Sequence, residues 1–221
     1  GLSDKDKRRG RHLACQCHAR GPVSIKAATG AEYVPKVVPQ RQTARLVGST
    51  DITHDLREFR FRSAAGASFL PGQFAMLDLP GLASARAYSM SNTANNDGEW
   101  HFQVRRVPHG QGTHVLFDRL GVGDEIGLDG PYGVAWLRTG APRDIVCVAG
   151  GSGLAPMVSI ARGAAAAGML KDRKLYFFYG ARTPRDVCGA EMLAQLDGFG
   201  ERIIYLPVVS LPGGEGEWQG E

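Results

Sequence analysis

The run Ser84-Ala85-Arg86-Ala87-Tyr88-Ser89-Met90-Ser91-Asn92 puts a guanidinium, a phenol and a hydroxyl close together. In an extended strand Arg86 and Tyr88 point to one face, and Ser89 follows where the Ser and Asn residues predict a bend. An anionic ligand with a flat ring calls for such a set. Arg pairs with phosphate, Tyr packs on a ring, and Ser supplies a directional hydrogen bond. A surface strand with chance polar alternation would read the same way.

Three further runs carry chemistry. His109-Gly110-Gln111-Gly112-Thr113 precedes a helical pattern. Free amides at a helix start favour anions, with Thr113 expected as the cap; an ordinary capped helix after a Gly turn is the plainer reading. Ala149-Gly150-Gly151-Ser152-Gly153-Leu154-Ala155-Pro156-Met157 lies between an apolar strand and an Ala-rich helix, where nucleotide phosphates bind in α/β folds. It is not Gly-x-Gly-x-x-Gly, because Pro156 stands at the third glycine, and no Gly-Lys-Ser/Thr makes it a P-loop. Pro is tolerated in a first helical turn, so the amides stay available. Tyr179-Gly180-Ala181-Arg182-Thr183 ends the next strand, and ligands gather at such carboxyl ends. Gly180 and Arg182 are therefore expected to face the crevice of Gly151–Gly153, although Arg182 could equally be a solvated loop charge.

The elements that must position these runs fall into two rhythms. From Gln40 to about Trp136, short strand-like stretches recur at Arg41–Val47, Leu56–Arg62, Phe74–Leu79, Arg86–Met90, Trp100–Arg106 and Glu125–Leu128. Gly, Pro, Asn and Asp clusters separate them, which predicts a small antiparallel barrel or sandwich. One helix, Thr113 to Leu120, interrupts it. After Pro142 apolar strands alternate with helices: Asp144–Ala149, a helix at 155–168, Lys174–Tyr179, a helix at 188–196, and Arg202–Val209. That alternation predicts a parallel sheet covered on both faces. A short strand is also expected at Val23–Ala27. Both ends are expected to be cut.

Charge narrows the function classes. The 221 residues carry a net +4, yet residues 1–45 hold +7 and the remainder −3. A slightly acidic body argues against a nucleic-acid-binding face. The apolar stretch Ile145–Ile160 is broken by its glycines and Pro156, so no membrane span of about 20 apolar residues is expected. Cysteines at 15, 17, 147 and 188 are too sparse for a disulfide scaffold, and a reducing, cytoplasmic setting is the simplest reading.

Taken in this order, the Arg-x-Tyr-Ser run at 86–89, Gly-x-x-Thr at 110–113, a Gly130-Pro131-Tyr132-Gly133 turn, the Gly-Gly-Ser-Gly-Leu-Ala-Pro run and the Tyr-Gly-Ala-Arg run resemble the ferredoxin–NADP(+) reductase superfamily. Within it the chain looks most like the NADH-dependent reductase components of bacterial multicomponent oxygenases, which place a plant-type 2Fe–2S ferredoxin domain ahead of the flavin barrel. The resemblance implies three segments: residues 1–35, the end of a ferredoxin domain with its linker; 36–139, a six-stranded antiparallel flavin-binding barrel of Greek-key type; and 140–221, an incomplete α/β NAD(P)-binding domain. Leu13-Ala14-Cys15-Gln16 looks like the fourth ligand of a plant-type cluster, with its three partner cysteines absent from this chain. Cys17 matches nothing in that pattern.

The resemblance also implies roles. Arg86 and Thr113 would hold flavin phosphates, Tyr88 would lie against the isoalloxazine, and Ser89 would hydrogen-bond near the hydride-accepting nitrogen as the catalytic residue. Ala87, Gln103, Val104, Arg105, Gly110 and Gly112 would complete the flavin site. Gly151, Ser152, Gly153, Leu154, Ala155 and Pro156, with Gly180 and Arg182, would take the nicotinamide nucleotide. FAD is favoured over FMN because Gly110–Thr113 offers a second phosphate site; NADH is favoured over NADPH, although Arg182 or Arg185 could meet a 2′-phosphate. Cys188-Gly189-Ala190 departs from the family's Cys-Gly-Pro turn, whose counterpart would lie past Glu221. The implied reaction passes a hydride from NADH to FAD, then single electrons through the cluster to an oxygenase or another acceptor protein. A free-flavin reductase and a non-catalytic flavin- or nucleotide-binding module are the alternatives. A hydrolase using Ser89 or Ser152 is disfavoured, since neither sits in a Gly-x-Ser-x-Gly elbow.

Overall fold

The computed structural model describes residues 3–12, 18–24, 30 and 33–213. The chain forms two compact units, Gly1–Lys36 and Val37–Glu221. In the first, α1 (Asp4–Arg8) is an exposed single turn capped by Ser3, whose hydroxyl accepts from the Asp6 amide at 3.2 Å. Val23 and Ser24 are not in a strand, and the rest of the strand expected there lies outside the described residues, as do Cys15 and Cys17.

The second unit begins with a six-stranded antiparallel sheet: β1 (Gln40–Asp51), β2 (Leu56–Ser63), β3 (Phe74–Asp78), β4 (Arg86–Ser89), β5 (Glu99–Arg105) and β6 (Glu125–Tyr132). Their spatial order is β4-β3-β6-β1-β2-β5, and a bridge between Met90 and Phe102 brings the two edge strands together. The sheet is thus an all but closed barrel, which removes the exposed edges that invite association. Alternation drives the closure. Ala44 and Leu46, Phe59 and Phe61, Ala75 and Leu77, and Trp100, Phe102 and Val104 all turn inward to one core. Each large side chain buried there contributes about 1.5–3 kcal/mol. Trp100 donates its indole N–H to Ser63 Oγ at 3.0 Å, so its polar edge is satisfied inside.

Two local expectations are corrected. The helix in the barrel starts earlier, as α2 (Gln111–His114), and continues as a π-helical turn over Val115–Arg119 that the Leu120 amide closes on the Val115 carbonyl at 2.9 Å. Gly130-Pro131-Tyr132 is not a turn but the end of β6. Its backbone pairs with both neighbours, Gly130 with Gln40 and Tyr132 with Phe74, and that pairing holds it extended. Only Gly133, at φ 102°, turns the chain.

The α/β part holds β7 (Ile145–Gly150), α3 (Leu154–Ala166), β8 (Leu175–Ala181), α4 (Ala190–Ala194) and β9 (Ile203–Val209). The strands are parallel in the order β7-β8-β9. Cys147, Leu175, Phe177 and Tyr179 pack against Leu154, Val158, Ala161 and Ala164 of α3 and Leu193 of α4. The expectation of a sheet covered on both faces fails among the described residues. Val146, Val148 and Val208 are 64%, 71% and 51% exposed on the opposite face, because both helices contribute to the same core.

Candidate functional site

β4 pairs with β3, Tyr88 opposite Ala75 and Arg86 opposite Leu77. The shared face expected for Arg86 and Tyr88 is visible at Gly112. A Cβ built there would lie 3.1 Å from the Tyr88 hydroxyl and 3.3 Å from Arg86 Cγ, so a larger residue at 112 would press on both side chains. Arg86 donates from Nη1 to Ser84 Oγ at 2.5 Å and to the Ser84 carbonyl at 2.8 Å, and no carboxylate among the described residues pairs with it. Its charge is therefore open to an anion. Tyr88 packs against the barrel core, and burial pushes its phenol up in pKa against the pull of Arg86, which keeps it a neutral donor. Ser89 is half-buried at the end of β4, while Ala87 is exposed on the face opposite Arg86 and Tyr88, leaving only its backbone for a ligand they hold.

The helix start differs from expectation in one respect. Gly110, not Thr113, is the cap residue, and no side chain caps it. Thr113 sits inside the first turn, with its hydroxyl bonded to the Gly110 carbonyl at 3.1 Å and to both backbone groups of Val107 at 3.2–3.3 Å. It ties the loop at 107–110 to α2, leaving the first-turn amides without intrahelical partners.

Along β5 the side chains part company. Val104 enters the barrel core, so only its backbone could reach a ligand. Gln103 is buried on the outer side, where Nε2 donates to Glu58 Oε2 at 3.2 Å and meets Met192 Sδ at 3.2 Å, while Oε1 has no partner. Arg105 also points outward, with Nε donating to Asp55 Oδ2 at 2.7 Å.

In the α/β part, β7 ends at Gly150, Gly151 turns at φ 54°, and a 3-10 turn over Gly151–Gly153 leads into α3. Leu154 and Ala155 are buried, so they offer a ligand only backbone. Gly150 pairs with Gly180, which puts the carboxyl ends of β7 and β8 side by side. Gly151, Gly180 and Arg182 line one narrow crevice with Tyr179, Asp55 and Arg105. Next to it opens a cleft of about 950 Å³ bordered by Arg105, His109, Gly110, Thr113 and Arg182. Residues from both motif groups thus meet along one seam. Arg86, Tyr88 and Ser89 do not line that cleft, and neither does Gly112, against which Arg86 and Tyr88 pack. Ser152, Gly153 and Pro156 line neither space.

Three seam residues escape sequence reasoning: His54, Asp55 and Asp186. Their atoms gather within 4.8 Å. Burial alone would raise the Asp186 carboxyl, but the hydroxyl and amide of Thr183, with His54 and Arg105, hold it below the usual range. The polar triplet Thr53-His54-Asp55 between two strands is the only sequence signal for part of this group.

An antiparallel barrel joined to a parallel sheet with glycine-rich strand ends is the architecture of a flavin- and nicotinamide-dependent oxidoreductase. Residues 43–136 match the oxidoreductase FAD-binding domain and residues 147–221 the oxidoreductase NAD-binding domain. The chain belongs to the ferredoxin–NADP(+) reductase superfamily. It is 42% identical over 190 residues to the ferredoxin–NAD(P)(+) reductase CarAd of Metapseudomonas resinovorans, covering 84% of this chain and 56% of that protein. It is 39% identical over 204 residues to the ferredoxin–NAD(+) reductase component of the Xanthobacter autotrophicus alkene monooxygenase system, covering 92% and 61%. The solved ferredoxin reductase of carbazole 1,9a-dioxygenase superposes with a TM-score of 0.81 at 36% identity, over 95% of this chain and 62% of that one. The chain thus spans less than two thirds of the length of these relatives. Among the described residues no helix is long and apolar enough to cross a membrane.

The residues present fit both cofactors. Arg86, which meets no carboxylate among the described residues, the first-turn amides of α2 and the close seat at Gly112 suit a flavin nucleotide. Gly151, Gly180 and Arg182 suit a second nucleotide at the strand ends.

Proposed function

We infer that this chain is the flavin and nicotinamide part of a reductase that passes electrons from NADH to an oxygenase component. The observation that carries this reading is that the helix start at Gly110, Gln111 and Thr113, on the barrel, and Arg182, on the α/β part, border one cleft of about 950 Å³. When bound, FAD would accept two electrons from NADH and release them singly to a one-electron carrier.

The chain's own residues hold and orient. Arg86 and the α2 amides would bind flavin phosphate, Tyr88 would pack along the ring, and Ser89 would present its hydroxyl to the ring edge as the residue nearest the chemistry. Gly151–Gly153, Gly180 and Arg182 bind the nicotinamide nucleotide. With both cofactors bound, the seam would have to hold the two rings within reach of hydride transfer. No side chain need act as a general acid or base.

The division proposed is 1–35 as ferredoxin end and linker, 36–139 as flavin barrel and 140–221 as NAD-binding part. Cys15 is assigned as one ligand of a 2Fe–2S cluster whose other ligands this chain does not hold. The partner follows from what the relatives' names state: ferredoxin reductase components of oxygenase systems. Steady-state turnover of the complete protein with each nucleotide tests the reading. We expect FAD-dependent turnover with a lower KM for NADH than for NADPH; a strong NADPH preference, or no turnover with FAD bound, would overturn it.

A further inference from the structure

Helix α3 starts at the Gly-rich turn and, further along, grips the barrel. It begins at Leu154, directly after Gly151–Gly153, and Ser159, Arg162 and Gly163 share one of its faces. Ser159 is fully buried and donates from Oγ to the Asn92 carbonyl at 2.7 Å. Arg162 donates from Nη1 to the Ser91 carbonyl at 2.9 Å. A Cβ built on Gly163 would lie 2.5 Å from Pro71 Cγ, so a side chain there would push α3 off the barrel. The gripped residues follow Ser89 by two and three positions, and the barrel holds them from the other side. Ser91 donates its amide to the His101 carbonyl at 2.8 Å and its hydroxyl to Glu58 Oε2 at 3.0 Å. Asn92 donates from Nδ2 to the Glu99 carbonyl at 2.8 Å and accepts at Oδ1 from the His101 amide at 3.1 Å. Burial lowers the Arg162 pKa and the Glu58 charge raises it, so this carboxylate offsets part of the cost of burying the guanidinium.

We propose that Ser159 and Arg162 are positioning residues for hydride transfer: through α3 they fix the Gly-rich turn relative to the strand end that carries Ser89. This deepens the reductase reading and rests on it. The step served moves one hydride, two electrons and a proton, from NADH to FAD and leaves NAD+. Its rate depends steeply on the separation of the reacting atoms, which must come to roughly 3–3.5 Å. A helix rises about 1.5 Å per residue, so Leu154 and Arg162 are held about 12 Å apart by a stiff rod. A shift where α3 meets Ser91 and Asn92 is therefore passed on to the turn. Neither Ser159 nor Arg162 lines the cleft or the crevice beside it, so the affinity for the nucleotide is set by other groups. Loosening the grip thus acts on the rate of the step and spares the binding that precedes it.

The test uses the complete FAD-loaded protein. Stopped-flow bleaching of flavin absorbance gives the limiting rate of reduction by NADH, and calorimetry gives the affinity for NAD+. Arg162→Met is expected to lower the limiting rate about 10- to 100-fold, with FAD content and NAD+ affinity within about twofold of wild type. Ser159→Ala, a smaller change, should lower the rate about 3- to 10-fold with the same split. Arg162→Lys keeps a charged donor and should regain part of the loss. Variants that melt at lower temperature but keep the wild-type limiting rate, or that lose NAD+ affinity as much as rate, would overturn the proposal. Hydrogen exchange of the 89–92 amides in the flavin-free protein reads the grip without the reaction. Arg162→Met should speed that exchange about tenfold, and unchanged exchange would overturn the grip. If NADH fails to reduce the wild-type protein, the reductase reading fails, while faster exchange in Arg162→Met would still uphold the hold of α3 on Ser91.

Discussion

The barrel and the α/β part solve the problem of sheet edges and faces differently. The barrel joins its edge strands at Met90 and Phe102 and buries one face in a closed core headed by Trp100, Phe59 and Phe61. The α/β sheet keeps β7 and β9 as outer strands, and its face away from α3 carries exposed Val146, Val148 and Val208. The lesson is about where rigidity resides. Arg86, Tyr88 and the start of α2 sit on an all but closed barrel, whereas Gly151 and Gly180 sit on a sheet that, among the described residues, is buried on one face.

That contrast sets the scale of mutational effects. Trp100→Ala removes a fully buried ring and the indole N–H that Ser63 Oγ accepts, so it should destabilise the barrel by about 3–5 kcal/mol in denaturant unfolding. Val148→Lys, on the uncovered face, should change stability by less than about 0.5 kcal/mol in the same measurement. A large loss at Val148 would erase the distinction between the two sheets.

Much of this was legible because periodicity is local. The run Phe59–Ser63 alternates cleanly, and the Gly-rich turn announces itself between an apolar strand and an Ala-rich helix. What escaped depends on partners distant in the chain. The extended state of Gly130–Tyr132 comes from pairing with strands 58 and more residues away, and turn composition cannot report that. The reach of Arg105 over Gly151 is a contact between two parts of the unit, and β5 alone shows only that Arg105 faces outward. The role of Thr113 was misplaced by three residues because a threonine inside the first turn and one at the cap look alike in sequence.

A smaller effect sharpens the comparison through pH. The Arg62 guanidinium, with His101, holds the Glu99 carboxyl below the usual range. Its folded value is depressed, so its contribution is complete above the ordinary carboxylate value and is lost as the pH falls through the folded one. Glu99→Gln should therefore lower Tm by about 1–2 °C at neutral pH and by nothing at strongly acidic pH. A pH-independent difference would place the effect in packing instead.

The central claim is that the barrel side of the seam binds FAD through Arg86. Titrating the chain with FAD and following the quenching of flavin fluorescence tests it directly. The account predicts saturable uptake of one FAD per chain, weakened about 10- to 100-fold by Arg86→Ala. Fluorescence that stays unquenched, or uptake indifferent to Arg86→Ala, would contradict it.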